Sequence, residues 1–321
     1  MSRFIAPFVR LVVCAVLISI VSVSSFAQVA LRKALDFDGD QKADFSVFRP
    51  ENATWYVYGS SGNFVLAQPW GVANDDRLVP GDYDGDGKGD IAVWRDTDGT
   101  WHLLKSSNFT YEGTTWGIDG DEAVARDYDG DGKTDRAVVR RSGGLMTWWI
   151  LKSGGGFTGV AWGADTDFVA PGDYDGDGLF DFAVQRPGAT LTSTATFYIY
   201  GSQVGYFGVP WGITTDFAVP GDYDGDGKTD VAIIREGATG TDNILWAIYR
   251  SDGQGAILTE FGITNDDFTA QADYDGDNKT DIAIWRQSTG VFWILKSSNS
   301  ELTGANWGAE GDYPIPFYDT H

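Results

Sequence analysis

Apolar residues in this chain fall in short runs rich in β-branched and aromatic side chains, separated by turns of Gly, Ser and Thr. One run is Asp90-Ile91-Ala92-Val93-Trp94-Arg95, with counterparts beginning at Asp44, Asp135, Asp181, Asp230 and Asp281. A second is Trp101-His102-Leu103-Leu104-Lys105-Ser106, with counterparts at Trp55, Trp148, Phe197, Trp246 and Phe292. A third run ends in Trp-Gly at Trp70, Trp116, Trp162, Trp211 and Trp307, with Phe261-Gly262 as the variant. A fourth, exemplified by Leu78-Val79-Pro80-Gly81, leads into an Asp-rich loop. Such lengths and compositions predict antiparallel strands. No helical periodicity follows the N-terminal segment.

The Asp-rich loop sets the repeat. Its skeleton D-x-D-G-D-x-x-x-D starts at Asp36, Asp82, Asp127, Asp173, Asp222 and Asp273, at intervals of 46, 45, 46, 49 and 51 residues. A period near fifty is that of solenoids and propellers. Several strands, such as Trp148-Trp149-Ile150-Leu151, are apolar on both faces, as expected of sheets covered on both sides. Position 11 of each unit is small (Ser46, Ala92, Ala137, Ala183, Ala232 and Ala283), which suits crowding near an axis. The fold expected is therefore all-β, a propeller of four-stranded antiparallel blades. A two-sheet sandwich is the runner-up and leaves the equal units unexplained. The C-terminal Tyr313-Pro314-Ile315-Pro316-Phe317-Tyr318-Asp319 resembles the strand before each loop, whereas Leu31 to Leu35 matches it poorly. The C-terminal strand is thus expected to complete the first of six blades, with seven blades the alternative.

The loops carry the clearest chemistry. Each places carboxylates at positions 1, 3, 5 and 9: Asp36, Asp38, Asp40 and Asp44; Asp82, Asp84, Asp86 and Asp90; Asp127, Asp129, Asp131 and Asp135. The later three are Asp173, Asp175, Asp177 and Asp181; Asp222, Asp224, Asp226 and Asp230; Asp273, Asp275, Asp277 and Asp281. Four converging carboxylates repel one another unless some stay protonated or a cation joins them. Hard oxygen donors in an irregular loop favour calcium over magnesium, so about six Ca2+ ions are expected. An EF-hand needs a bidentate Glu at position 12. Here that position is Val47, Val93, Val138, Val184, Ile233 or Ile284. RTX-type nonapeptides are absent as well.

At the N-terminus, Arg3 and Arg10 precede an apolar run from Leu11 to Val23 and then Ser25-Phe26-Ala27. That is the layout of a secretory signal peptide, expected over residues 1–27, with one propeller domain over 28–321. Secretion to the cell surface, periplasm or medium follows, with no membrane span after cleavage. Cys14, the single cysteine, lies inside the apolar run, so no disulfide staples the mature chain. Without Arg3 and Arg10 there are 21 basic and 46 acidic residues, a net charge of −25, of which the loops contribute 24 acids. Six divalent ions bring the balance to −13. The acidity is mostly metal ligand, and with no basic stripe nucleic acid is excluded as a partner.

These units resemble the FG-GAP/VCBS repeats of bacterial secreted proteins, and their Asp loops are similar to the calcium loops of integrin α-subunit propellers. The resemblance spans about residues 30 to 319. It implies that each Asp loop joins the innermost strand of a blade to the second. The family's Phe-Gly pair is present at Phe261-Gly262, and Trp-Gly stands in the other units.

Antiparallel order puts the loops between strands 1–2 and 3–4 at one end, and the remaining loops at the other. From the first Asp to the first aromatic of strand 3 is 19 residues in three units, 21 at Asp127→Trp148, and 24 at Asp173→Phe197 and Asp222→Trp246. Extra loop length concentrated at one end marks a candidate binding surface. That end also receives Arg49, Arg95, Arg140, Arg186, Arg235 and Arg286, together with Asp75, Asp121, Asp167, Asp216, Asp266 and Asp312. The two sets are read either as ion pairs fixing blade spacing or, with the Trp residues, as repeated sugar pockets. With only His102 and His321 and no nucleophile motif, no catalytic constellation stands out. The function expected is a monomeric, non-enzymatic binding or adhesion module for glycan or cell-surface protein. The alternatives are a polysaccharide lyase or hydrolase, and a purely structural envelope or matrix protein.

Overall fold

The computed structural model describes residues 34–73 and 75–319. The signal-peptide assignment and Cys14 lie outside them. Among the described residues there are six four-stranded antiparallel sheets, one per repeat. The first blade takes β1 (Phe45–Arg49), β2 (Thr54–Tyr58) and β3 (Val65–Pro69). Blade two is β4 (Asp76–Leu78), β5 (Ile91–Arg95), β6 (Thr100–Leu104) and β7 (Tyr111–Thr115). Blade three is β8 (Glu122–Ala123), β9 (Arg136–Ser142), β10 (Leu145–Leu151) and β11 (Phe157–Ala164). Blade four is β12 (Phe168–Val169), β13 (Phe182–Arg186), β14 (Thr194–Gly201) and β15 (Gly205–Ile213). Blade five is β16 (Phe217–Ala218), β17 (Val231–Arg235), β18 (Asn243–Tyr249) and β19 (Ala256–Ile263). Blade six is β20 (Asp267–Thr269), β21 (Ile282–Arg286), β22 (Val291–Leu295) and β23 (Leu302–Asn306).

β24 (Tyr313–Pro314) pairs with β1 and completes blade one, so the ring has six blades, closed from the C-terminus. Seven blades and the sandwich are both excluded. Two expectations need correction. The first strand is shorter and earlier than Leu78–Gly81: β4 ends at Leu78, the Val79 N–H still reaches the Ala92 carbonyl at 3.0 Å, and the next pairing is the isolated bridge Gly81↔Asp90. Pro80 lies between and has no N–H to offer a ladder. The C-terminal segment is likewise a strand for two residues only. It then turns into the short helix α1 (Ile315–Asp319), which packs against β1, β4 and β20.

The core lies between blades. Trp55, Trp94, Trp101, Trp148, Trp246 and Trp285 are fully buried, as are the small position-11 residues. The Trp of each Trp-Gly pair sits at the outer seam and binds the next blade. Trp70 donates to the carbonyl of His102, Trp116 to Trp149, Trp162 to Tyr198 and Trp211 to Ala247, and Trp307 closes the circle at Tyr56, all at 3.0–3.1 Å. Phe261 has no donor, so the seam between blades five and six lacks this bond. The Gly that follows is required by geometry: Gly163 has φ +97°, and a Cβ there meets Val184 of the next blade at 3.0 Å. Trp116→Phe is expected to cost about 1 kcal/mol through the lost bond, read as a lower urea midpoint. An unchanged midpoint would show that the Trp ring is packing alone.

Candidate functional site

The first Asp of each loop folds the loop around itself. Asp36 accepts N–H bonds from Gly39 (2.6 Å) and Gln41 (2.7 Å), and the pattern recurs at Asp82, Asp127, Asp173, Asp222 and Asp273. The ninth-position residues Asp44, Asp90, Asp135, Asp181, Asp230 and Asp281 are fully buried beneath. Each takes an N–H from the second loop residue at 2.8–3.0 Å. Gly at position 4 permits the turn: Gly85 has φ +81°, and a Cβ there lies 2.7 Å from Lys133 of the next loop.

One carboxylate oxygen from each of Asp36, Asp38, Asp40 and Asp44 lies within 4.8 Å of the others. The same holds for Asp82, Asp84 and Asp86, for Asp127, Asp129 and Asp135, for Asp173, Asp175 and Asp181, and for Asp222, Asp224 and Asp230. Asp131, Asp177 and Asp226 accept the hydroxyls of Ser153, Ser202 and Ser251, and in the sixth loop Asp277 and Asp275 accept those of Ser297 and Ser298.

Burial dominates the electrostatics. It raises the carboxyls of Asp44, Asp135 and Asp181 to about 7 and those of Asp90, Asp230 and Asp281 to about 6, against the pull of the N–H donors. At the first position it raises Asp222 to about 7 and Asp173 to about 6, and pushes Asp36 and Asp127 up as well. Neighbouring carboxylates add to the rise. The Oδ1 atoms of Asp129 and Asp175 are buried with no hydrogen-bond partner among the described residues. An acceptor oxygen left bare inside a carboxylate cluster fits a cation and nothing else in the loop. The donor set therefore fits a hard divalent ion.

Two features of the site escaped the sequence reading. A Ser opens the turn between the third and fourth strands in every unit. The N–H groups of Ser60, Ser106, Ser153, Ser202, Ser251 and Ser297 bond the buried ninth Asp at 2.7–3.1 Å. Its recurrence in all six units was the available signal. The loops also form one ring. The eighth residue of each donates its N–H to the first Asp carbonyl of the loop before it: Gly89 to Asp36, Thr134 to Asp82, Phe180 to Asp127, Thr229 to Asp173 and Thr280 to Asp222. Ala43 to Asp273, at 2.8 Å, closes it.

At the opposite end, the six Arg residues at the ends of the second strands meet their Asp partners in two-pronged pairs, Nε and Nη2 each within 3.0 Å of a carboxylate oxygen. Arg49 takes Asp312, Arg140 takes Asp121, Arg186 takes Asp167 and Arg235 takes Asp216. Two partners differ from expectation. Arg95 pairs with Asp76 rather than Asp75, and Arg286 with Asp267 rather than Asp266, because the turn from Trp/Phe-Gly is one residue longer in these two units, so that Asp76 and Asp267 are the residues opposite the Arg. Asp266 stays 3.9 Å from Arg286 and caps Ser288. Each paired Asp also accepts the N–H of the residue after Trp/Phe-Gly in the preceding blade, such as Ala164 to Asp167 at 2.8 Å. The pairs therefore lock the crossover from one blade to the next. Each carboxylate engages Nε and Nη2, which leaves the Nη1 amino group outside the pair. In blades one and four the guanidinium is laid over an aromatic ring, Arg49 over Tyr56 at 4.5 Å and Arg186 over Tyr198 at 4.6 Å. Arg49, Tyr56 and Trp307 line a cavity of about 320 Å³ between blades six and one.

Residues 36–93 and 222–284 match the FG-GAP-like repeat family. No curated protein sequence matches the chain. Among solved structures, an Agrocybe aegerita lectin described for its specific recognition of non-reducing terminal N-acetylglucosamine aligns with TM-score 0.51 at 17% identity, over 87% of this chain and 78% of that one. A Lactobacillus plantarum protein aligns with TM-score 0.44 at 10% identity, over 84% and 97%. AztD from Citrobacter koseri, in its apo form, gives 0.40 at 13% identity, over 84% and 74%. No helix among the described residues is long and apolar enough to cross a membrane. With the matched repeats in blades one, two, five and six and the same loop in every blade, the chain is an FG-GAP repeat-containing protein built as a six-bladed β-propeller.

Proposed function

We propose that this propeller is a secreted, calcium-loaded, non-enzymatic module that binds glycan through the seams between its blades. The observation that carries the reading is the Arg49 guanidinium, its Nη1 outside the Asp312 pair, stacked on Tyr56 beside Trp307 over a cavity. A flat aromatic face and a fixed donor together suit a sugar ring, whose C–H face and hydroxyls need both. The same elements recur at Arg186, Tyr198 and Trp162, so several weak sites can act together. The bare Oδ1 atoms of Asp129 and Asp175 support calcium, the ion best suited to irregular all-oxygen loops. When bound, that ion neutralises the carboxylates and ties the first and ninth Asp together. The apolar N-terminal run with its preceding Arg residues supports secretion.

A glycan array probed in calcium and again in chelator tests the reading, with N-acetylglucosamine-terminated glycans in the panel because a fold relative recognises that sugar. Calcium-dependent binding to a defined glycan is expected, about tenfold weaker in Tyr56→Ala. A folded protein silent across the array would leave the Arg–Asp ring with its structural role alone.

A further inference from the structure

The geometry points to a second, axial site, at the end of the propeller opposite the Asp loops, that takes a small organic cation with an apolar body, of the alkyl- or aryl-ammonium class. The first strands of the six blades begin there at equivalent register positions. Tyr313 stands opposite Phe48, Arg77 opposite Trp94, Glu122 opposite Val139, Phe168 opposite Gln185, Phe217 opposite Ile234 and Phe268 opposite Trp285. A position fixed by the fold alone should be alike in every blade. Here blades two and three carry charged residues held in local ion pairs, Arg77 with Asp96 and Glu122 with Arg141. Blades four, five and six carry Phe. Phe168 is 54% exposed and Phe217 49%, so neither ring is spent on packing its blade.

These rings converge on one cavity of about 440 Å³, within the size range of small-molecule sites. Phe268 and Phe317 complete the aromatic wall, and Ile234 and Ile244 add apolar surface. Glu236 and Asp266 supply carboxylates to the lining, which contains no Lys or Arg. Asp267 also lines it, but its charge is balanced by Arg286 at 2.8 Å. The hydroxyl of Thr269, a lining residue only 2% exposed, has no partner among the described residues. Aromatic faces attract a cation electrostatically, and the Glu236 carboxylate, which meets no Lys or Arg in the lining, adds to that attraction while repelling anions; Asp266 is partly answered by Arg286 at 3.9 Å. A neutral apolar ligand fills the rings and leaves Glu236 unanswered. The site is independent of the seam pockets, so its test does not depend on glycan binding.

The test is calorimetric titration of the full chain in excess calcium, which keeps the Asp loops from competing for the probe. Benzyltrimethylammonium is expected to bind saturably at one site. Choline is expected to bind about tenfold more tightly than its neutral isostere 3,3-dimethylbutan-1-ol, and phenylacetate not at all. Phe217→Ala and Glu236→Gln should each weaken benzyltrimethylammonium about fivefold at an unchanged melting temperature. Both side chains are exposed, and Phe168→Ala serves as the second aromatic variant should Phe217→Ala unfold. Equal affinity for choline and its isostere, no saturable binding, or binding indifferent to the folded variants would each overturn the assignment.

Discussion

Stripping divalent ions is expected to lower the melting temperature of the protein by more than about 10 °C, and millimolar calcium to restore it. The gain from calcium should be large at pH 8 and vanish near pH 5. Its origin is the set of ninth-position carboxyls, raised to about 6 or 7 by burial. A carboxyl whose pKa is higher in the folded chain than in the unfolded one binds more protons when folded. Its contribution to metal-free stability is therefore full below the ordinary Asp value of 3.8 and is lost as pH climbs through the folded value. The window is about pH 4 to 7, in which metal-free protein weakens with rising pH. Calcium needs the deprotonated form, so its binding strengthens over the same window and opposes the loss. A tenfold change in one carboxyl's proton affinity corresponds to about 1.4 kcal/mol, and that much in every loop amounts to about 8 kcal/mol over the ring. Such a sum is comparable to the whole stability of an ordinary domain. Differential scanning fluorimetry across pH, with calcium and with chelator, reads the effect directly. A melting temperature indifferent to calcium at pH 8 would sink the metal assignment.

Within the loops, Asp84→Ala should loosen more than its own blade, because Asp82 accepts the N–H of Thr134 in the next loop through its backbone carbonyl. That consequence was not legible in the sequence, and the reason is physical. Ligand spacing is local and shows as D-x-D-G-D, whereas a backbone carbonyl leaves no residue signature. The recurrent Ser60, Ser106, Ser153, Ser202, Ser251 and Ser297 were legible in principle, yet Ser is also what any turn prefers. The blade count and the closing strand could be read because strand period and loop skeleton repeat together. The Arg ring was found as a set, but its partners slipped by one residue in blades two and six, where two Asp stand in a row at Asp75-Asp76 and Asp266-Asp267. Sequence spacing alone cannot choose between neighbours that alternate across a strand. The aromatic axial mouth escaped for a different reason. It is made of residues that break the repeat, and a reading built on what recurs passes over what does not.

The second large effect concerns how the ring is held shut. A chain ending at Gly311 is expected to lose cooperative unfolding and to associate with itself, whereas Asp121→Asn in blade three should only lower the midpoint. In blade three the first strand is covalently continuous with the rest, so Asp121→Asn removes one Arg pair and costs about 2 kcal/mol. Truncation removes the equivalent pair, Arg49 with Asp312, and a whole strand with it. It also removes Ile315, fully buried, whose burial alone contributes about 1.5–3 kcal/mol. What remains of blade one is three strands, with β1 presenting unpaired N–H and C=O groups where Tyr313 and Pro314 had lain. The Trp307 bond to Tyr56 and the Ala43 bond to Asp273 survive on the shortened chain, so blades one and six still touch. They hold a seam and leave an edge open, and an open edge is the template for pairing with another copy. Urea unfolding and size-exclusion chromatography separate the cases. A truncated chain that stays monomeric with an unchanged midpoint would mean that the seam contacts alone close the propeller. The expected outcome, a broad transition with concentration-dependent elution, places closure in the strand borrowed from the C-terminus.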